Sequence, residues 1–421
     1  VSRLQQEALQ DAVLSVADLI SERLDSPEAV RGRVPQRQWW PQSLAHGAAG
    51  VALLHIERAR AGRASWRAAD DWLSCVARDG VSAGPDSHLH YGVPALAFAL
   101  QTAGDRYART LEVLDQQVVQ QTLRRLKASR ARLDQRERPA LAEFDAIRGL
   151  SGFGNYLLQR KSHTDLLCDV LRYLVQLTEP VDEAGEILPG WWTDSGPGGR
   201  PSGNFPGGHA NTGMAHGIAG PLALLSLAMR DGVVVDGQDE AISRICAWLD
   251  RWRQDGDFGP WWPYWITRPQ LRGESPVVAQ PSRPSWCYGI AGVARAQQLA
   301  AIATGDLARQ QMAENALVGA LADPRQQEMT TDLSLCHGYA GLALVATRCA
   351  GDAVTSGLDD HLPQLIEAIV PDGTRTADAQ ANGLLTSDFG LLEGAAGVAL
   401  ALYALHSGPP ASGWDSCLLI A

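Results

Sequence analysis

The sequence predicts an all-α protein, an α/α toroid with seven inner and seven outer helices. Three observations lead there. Short Gly-x-x-Gly steps recur from end to end, each is followed by an apolar, helix-favouring run, and a more amphipathic helical segment lies between successive steps. Self-similarity at a spacing of tens of residues marks a repeat architecture, in which a unit buries its apolar face only by stacking on its neighbours.

The first step is His46-Gly47-Ala48-Ala49-Gly50, and Val51-Ala52-Leu53-Leu54 continues it. The second is worn: His90-Tyr91-Gly92-Val93-Pro94-Ala95 has lost its second glycine, a change expected to matter for structure only. The third is Gly149-Leu150-Ser151-Gly152. The fourth, His216-Gly217-Ile218-Ala219-Gly220, runs on as Pro221-Leu222-Ala223-Leu224-Leu225-Ser226-Leu227. The fifth is Gly289-Ile290-Ala291-Gly292. The sixth, His337-Gly338-Tyr339-Ala340-Gly341, leads into Leu342-Ala343-Leu344-Val345-Ala346, and the seventh is Gly394-Ala395-Ala396-Gly397. Stretches apolar nearly all round read as buried helices. Between the fourth and fifth steps, Asp239 to Leu249 alternates polar and apolar residues as an outer, solvated helix does.

First glycines stand at 47, 92, 149, 217, 289, 338 and 394, intervals of 45 to 72 residues. Two helices rising about 1.5 Å per residue, with two loops, account for such a repeat. Small residues on every inner helix favour a closed ring over an open superhelix, because helices converging on one axis need thin faces. Most of the glycines then serve turns and close packing.

Composition agrees. With 421 residues and 45% hydrophobic content the chain buries a large core, and no linker divides it. The expectation is one domain, 1–421, with loop insertions near 181–215 and 253–286. A net charge of -11 argues against nucleic-acid or anionic-membrane partners. The basic run Arg124, Arg125, Lys127, Arg130, Arg132, Arg136 and Arg138 reads as a solvated helix face, with an acidic peptide segment as the alternative occupant.

The start, Val1 to Glu7, reads as an amphipathic helix without a signal-peptide core, and no uncharged apolar run is long enough to span a bilayer. Residues 390–405 come closest, but Glu393 and the glycines suit a buried helix. Seven cysteines, an odd number scattered over the chain, do not form a disulfide framework, which points to reduced thiols in the cytoplasm.

Cys75, Cys168, Cys246 and Cys349 fall in apolar helical patterns and read as small hydrophobes, and Cys417 as part of a loose tail. Cys287 and Cys336 instead stand just before repeat glycines, and His337 follows Cys336. In a toroid such positions share one mouth of the ring. Two thiolates and one imidazole are a zinc set that leaves the fourth position open. A site with no net charge suits a third thiolate, from a substrate. His216 and Asp145, at the same mouth one and two repeats earlier than Cys287, are a plausible proton-transfer pair. His46, His55, His88, His90 and His209 are expected to be structural.

The series Asp145, Ala215-His216-Gly217, Trp286-Cys287-Tyr288-Gly289 and Cys336-His337-Gly338 resembles the lanthionine synthetase C-like family over essentially the whole chain. The resemblance implies a toroid with zinc at its mouth that closes thioether rings, adding cysteine thiols to dehydroalanine or dehydrobutyrine in a dehydrated precursor peptide. Carried over, Cys287, Cys336 and His337 are the zinc ligands, His216 the acid/base, Asp145 its partner, and Arg283 matches a family arginine near the active site. The implied partners are the precursor peptide with its leader, a dehydratase and an exporter.

The two insertions, with Trp191 and Trp192 in one and Trp261, Trp262, Tyr264 and Trp265 in the other, are expected to handle substrate. The alternative is that these tryptophans cap the apolar end of the bundle. Rival readings are a zinc enzyme adding glutathione or another small thiol to an electrophile, and a zinc-braced scaffold that binds peptide. A glycosidase using Asp145 and Glu393 ranks last, since it leaves the cysteines unexplained.

Overall fold

The computed structural model describes residues 3–33, 39–370, 383 and 388–421, with side chains from residue 8 onward. The expectation for Val1 and Ser2 lies outside them. All seven glycine steps open a helix: Ala48–Arg60, Val93–Thr102, Leu150–Arg160, Ala219–Arg230, Ile290–Thr304, Tyr339–Asp352 and Ala395–Ser407. These helices are buried around most of their circumference. In Ala395–Ser407, for example, every residue from Ala395 to Ala404 is buried.

Amphipathic helices alternate with them: Arg3–Arg23, Arg67–Ala77, Ala108–Asp134, Thr164–Leu177, Gln238–Trp252, Leu307–Ala322 and Leu358–Ile369. Thr164–Leu177 buries Leu166, Leu167, Val170, Leu171, Leu174 and Leu177, one stripe at helical spacing. Its other face is polar. The count of seven and seven holds among the described residues.

The second glycine of a step is required by backbone approach. A Cβ on Gly292 would lie 2.0 Å from the Trp286 carbonyl oxygen, and one on Gly341 1.9 Å from that of Leu335. The glycine lets the first helical turn sit directly on the loop that leads into it. The worn second step has a different entry. Gly92 adopts φ 75°, a left-handed conformation, and Ala95 is accommodated where the other steps need glycine.

The chain forms two compact units. The first comprises Val1–Val118, Thr331–Thr347 and Asp359–Asp415, the second Val119–Thr330, Arg348–Leu358 and Ser416–Ala421. In the first, helix Ala48–Arg60 packs against Arg67–Ala77, Val93–Thr102 and Ala395–Ser407, and Arg3–Arg23 lies along Ala395–Ser407. In the second, Ala219–Arg230 packs against Leu150–Arg160 and Ile290–Thr304, and Ile290–Thr304 against Leu307–Ala322.

The insertions are ordered. Val181–Glu183 pairs with Glu186–Leu188, and Gln254–Gly256 with Gly259–Trp261. A third antiparallel ribbon joins one insertion to the other, with His209 opposite Thr267 and Asn211 opposite Trp265. Trp191, Trp192, Trp261 and Trp262 are buried, and the indoles of Trp192 and Trp262 donate to the carbonyls of Gly207 and Leu249. These four are packed inside the protein rather than presented to solvent.

The C-terminal tail is not loose. Cys417 and Leu418–Ile420 are buried, the Trp286 indole donates to the Leu418 carbonyl at 2.9 Å, and Arg295 donates to the Ile420 carbonyl at 2.9 Å. Apolar side chains and two long polar donors fix the tail beneath the turn that carries Cys287. None of the seven cysteines forms a disulfide. Burial pushes the thiols of Cys246 and Cys349 up to about 11 and 12, as expected of small hydrophobes. Three residues of the basic run make ion pairs: Arg132 forks onto Glu143 at 2.8–3.1 Å, Arg130 meets Asp169, and Arg138 meets Glu183 and Asp194.

Candidate functional site

Four of the seven turns entering the glycine steps are built alike. Four residues before the first glycine, a side-chain oxygen accepts backbone N–H groups of the turn. Ser43 takes His46 N at 3.0 Å, Asp145 takes Arg148 N and Gly149 N at 2.6 and 2.8 Å, Ser285 takes Gly289 N at 3.0 Å, and Ser334 takes His337 N at 3.2 Å. Satisfying these otherwise unpaired donors holds each turn rigid.

Neighbouring turns are laced by main-chain bonds two or three residues before the glycine. In the second unit Ala146 N donates to Ala215 O and Ala215 N to Cys287 O. In the first, Cys336 N donates to Leu392 O and Leu392 N to Ala45 O. The residue immediately before each first glycine is therefore held on a fixed frame. Down the chain that column reads His46, Tyr91, Arg148, His216, Tyr288, His337 and Glu393. Every member is polar or ionisable.

The six residues singled out from the sequence divide between the units. Asp145, His216, Arg283 and Cys287 lie in the second, and Cys336 and His337 in the first. Asp145 and His216 meet as expected: Asp145 Oδ2 lies 2.7 Å from His216 Nδ1, with the carboxylate buried and the imidazole 28% exposed. A carboxylate only accepts, so Nδ1 carries the hydrogen and Nε2 is left to take or give a proton.

Aromatic rings wall the imidazole. Tyr288 lies 6.0 Å from it between centroids, Tyr264 5.7 Å from Tyr288, and Trp265 6.1 Å from Tyr288. The Tyr264 hydroxyl donates to the Arg283 carbonyl at 2.6 Å. Burial, and then the nearby Cys287 sulfur, push that phenol up to about 12. Cys287 itself is buried, its Sγ 3.5 Å from Ser285 Oγ.

In the first unit, Cys336, His337 and Glu393 bring one ligand atom each within 4.8 Å of one another, and so do His46, Asp388 and Glu393. Asp332 Oδ2 holds His337 Nδ1 at 2.7 Å, and Nε2 lies 3.8 Å from Glu393 Oε1. Burial works against ionised Asp332, but hydrogen bonds from His337 and Ser334 outweigh it and keep the carboxyl well below the usual range. Asp388 Oδ2 holds His46 Nδ1 at 2.9 Å in the same manner.

Sequence reasoning did not single out Asp332, Asp388 or Glu393 as partners of these imidazoles; His46, expected to be structural, is grouped with Asp388 and Glu393. Reading down the column before the glycines would have found His46 and Glu393. Asp332 and Asp388 each stand six residues before a first glycine, a second legible signal. The structural expectation does hold for His55 and His209. Burial lowers both to about 4, each bonded to a main-chain carbonyl, Leu24 and Ser195 respectively. Asp145 does not suit a glycosidase, since both its oxygens are engaged with backbone and imidazole.

These observations define a class first: a mostly helical repeat protein whose glycine-step turns present imidazoles, each backed by a carboxylate, and two thiols. The profile described as lanthionine synthetase C-like protein matches residues 38–419, and the chain belongs to that family. Among solved structures it is similar to nisin cyclase, with TM-score 0.76, 96% of both chains covered and 20% identity. That likeness establishes the shared fold, an α/α toroid. Among curated proteins it is similar to the nisin biosynthesis protein NisC of Lactococcus lactis subsp. lactis, 27% identical over 205 residues. The matched stretch is 48% of this chain and 47% of that protein, about half the length of each. Among the described residues no helix is long and apolar enough to cross a membrane.

Proposed function

We propose that the chain is a zinc-dependent peptide cyclase. It would form lanthionine and methyllanthionine rings by adding cysteine thiols to dehydroalanine or dehydrobutyrine in a dehydrated precursor peptide. The observation that carries this reading is His337, whose Nδ1 is held by Asp332 at 2.7 Å so that Nε2 is left as a ligand atom, with the Cys336 thiol beside it. A carboxylate behind the far nitrogen is the usual support of a metal-bound histidine. Two thiols and one imidazole, Cys287, Cys336 and His337, are the ligands we assign. The donor set fits zinc with one position open.

Zinc held by these residues would keep a substrate sulfur as thiolate near neutral pH. The remaining work falls to side chains. His216 Nε2 delivers a proton to the α-carbon as the new C–S bond forms at the β-carbon, and Asp145 stabilises the imidazolium beforehand and fixes its tautomer. Arg283 supplies positive charge to the enolate oxygen. The aromatic wall of Tyr264, Trp265 and Tyr288 excludes water and gives apolar peptide side chains a surface.

One family match running from 38 to 419 supports reading the chain as a single domain. The cytoplasm as its place, and a dehydratase and an exporter as its partners, follow from the same reading. The test is zinc content in wild type and in Cys287→Ala, Cys336→Ala and His337→Ala, followed by conversion of a dehydrated cysteine-containing peptide. One equivalent of zinc lost in all three variants, with ring closure by wild type without added thiol, supports the cyclase. Turnover only with an added small thiol would favour the glutathione-type rival. Zinc indifferent to all three changes would remove the mechanism.

A further inference from the structure

The turns carry three histidines with a carboxylate on Nδ1, and the proposed function uses two. The third is His46, bonded to Asp388 Oδ2 at 2.9 Å. It stands immediately before a first glycine, as His216 and His337 do, and Ser43 caps its amide at 3.0 Å. Asp388 is fixed in turn, since its Oδ1 accepts Gly390 N at 2.9 Å. A purely structural histidine in this protein looks different: His55 and His209 are buried and bonded to carbonyls, whereas His46 is 36% exposed and bonded to a carboxylate.

Its neighbours tie it to the thiol site. Glu393 is common to the two groups His46–Asp388–Glu393 and Cys336–His337–Glu393, in each of which the ligand atoms lie within 4.8 Å of one another. The facing groups are Asp388, Glu393 and the edge-on ring of Trp40, 6.2 Å away between centroids. The hydrogen bond that His46 donates to Asp388, and the charges of Asp388 and Glu393, raise His46 above an ordinary imidazole, against the opposing effect of burial. That makes it a better match to a thiol's proton.

Resting on the cyclase reading, we propose that His46, positioned by Asp388, is the group that takes the proton released when a substrate cysteine thiol enters the site. The S–H bond breaks, its electron pair stays on sulfur, and the proton goes to His46 Nε2. After the thiolate has added to the β-carbon and His216 has protonated the α-carbon, His46 returns its proton to solvent and His216 regains one. Atoms and charge balance, and no oxidant is needed. Ring closure then uses one histidine on the sulfur side and one on the carbon side. The chain can host both because the same turn recurs along it.

The test counts protons on binding rather than on turnover. Zinc-loaded protein is titrated calorimetrically, in two buffers of different ionisation enthalpy, with a peptide that has cysteine and no dehydro residue. The pH is one at which His46 is neutral before peptide is added, as read from its imidazole resonances. Wild type should release almost no proton to the buffer, and His46→Gln about one more per peptide bound. Asp388→Asn should fall between them. Restored turnover of His46→Gly by added imidazole would support the assignment further. Equal proton release by wild type and His46→Gln overturns it, as does loss of zinc from His46→Gln, which would make His46 a support of the metal. If wild type does not bind the cysteine peptide, the cyclase reading itself fails. Binding with an unchanged proton count sinks only the role of His46.

Discussion

Replacing Asp145 by asparagine separates its two functions. Oδ1 caps the turn by accepting Arg148 N at 2.6 Å and Gly149 N at 2.8 Å, while Oδ2 accepts His216 Nδ1–H at 2.7 Å. Asparagine keeps one carbonyl oxygen for the cap but presents an NH2 to the imidazole. The ring must then accept at Nδ1 and carry its hydrogen on Nε2, the wrong tautomer for taking up a proton. Its imidazolium also loses a charge-assisted partner worth about 1.5–3 kcal/mol. At roughly 1.4 kcal/mol per factor of ten, ring closure should slow by about 10- to 150-fold. Melting temperature and zinc content should hardly change. Asp145→Ala should slow closure similarly and also lose the cap, costing about 1–2 kcal/mol of stability. The assay is single-turnover closure of a dehydrated peptide, followed by thiol loss and mass spectrometry, with thermal denaturation alongside. Wild-type closure rates in Asp145→Asn would refute the assignment of His216 as the acid. A large drop in its melting temperature would show that Oδ2, not Oδ1, holds the turn.

Asp332→Asn should weaken zinc binding by about 10- to 100-fold, measured by competition with a chelator, because His337 loses the acceptor that orients its ring; unchanged affinity would separate His337 from the metal. Gly341→Ala puts a Cβ 1.9 Å from the Leu335 carbonyl oxygen and should cost at least about 1–3 kcal/mol in thermal or urea unfolding. An unchanged midpoint would mean that the Leu335 turn yields without cost. Cys246 and Cys349, raised to about 11 and 12 by burial, stay protonated until the pH approaches those values. The thiolate is the reactive form, so iodoacetamide at pH 8 should leave both unmodified in native protein and label them after unfolding, as peptide mapping would show.

Much of the fold was legible because its signals are local. A glycine whose Cβ would strike a carbonyl six residues back in its own turn, as at Gly341, is written within a few residues, and so is the apolar or amphipathic character of each helix. The same locality made Cys287, Cys336 and His337 conspicuous beside their glycines. The pairing of Asp145 with His216, 71 residues apart, was also within reach, since both sit at matched places in the repeat.

Contacts that depend on how distant segments stack were not legible. His46 is marked by its place before Gly47, but its partner Asp388 lies 342 residues away, and no local pattern joins the two. Trp191, Trp192, Trp261 and Trp262 could be read from the sequence either as handling substrate or as capping the bundle, and only the structure shows all four to be buried. Cys417 looked loose until Trp286 and Arg295 were seen to hold its neighbours. Sequence alone determined the helices, their glycine turns and the residues those turns present, because backbone sterics and hydrophobic period act over a few residues. Only the tertiary structure decided that Asp388 backs His46, because that hydrogen bond requires two turns 342 residues apart in the chain to be brought together by packing.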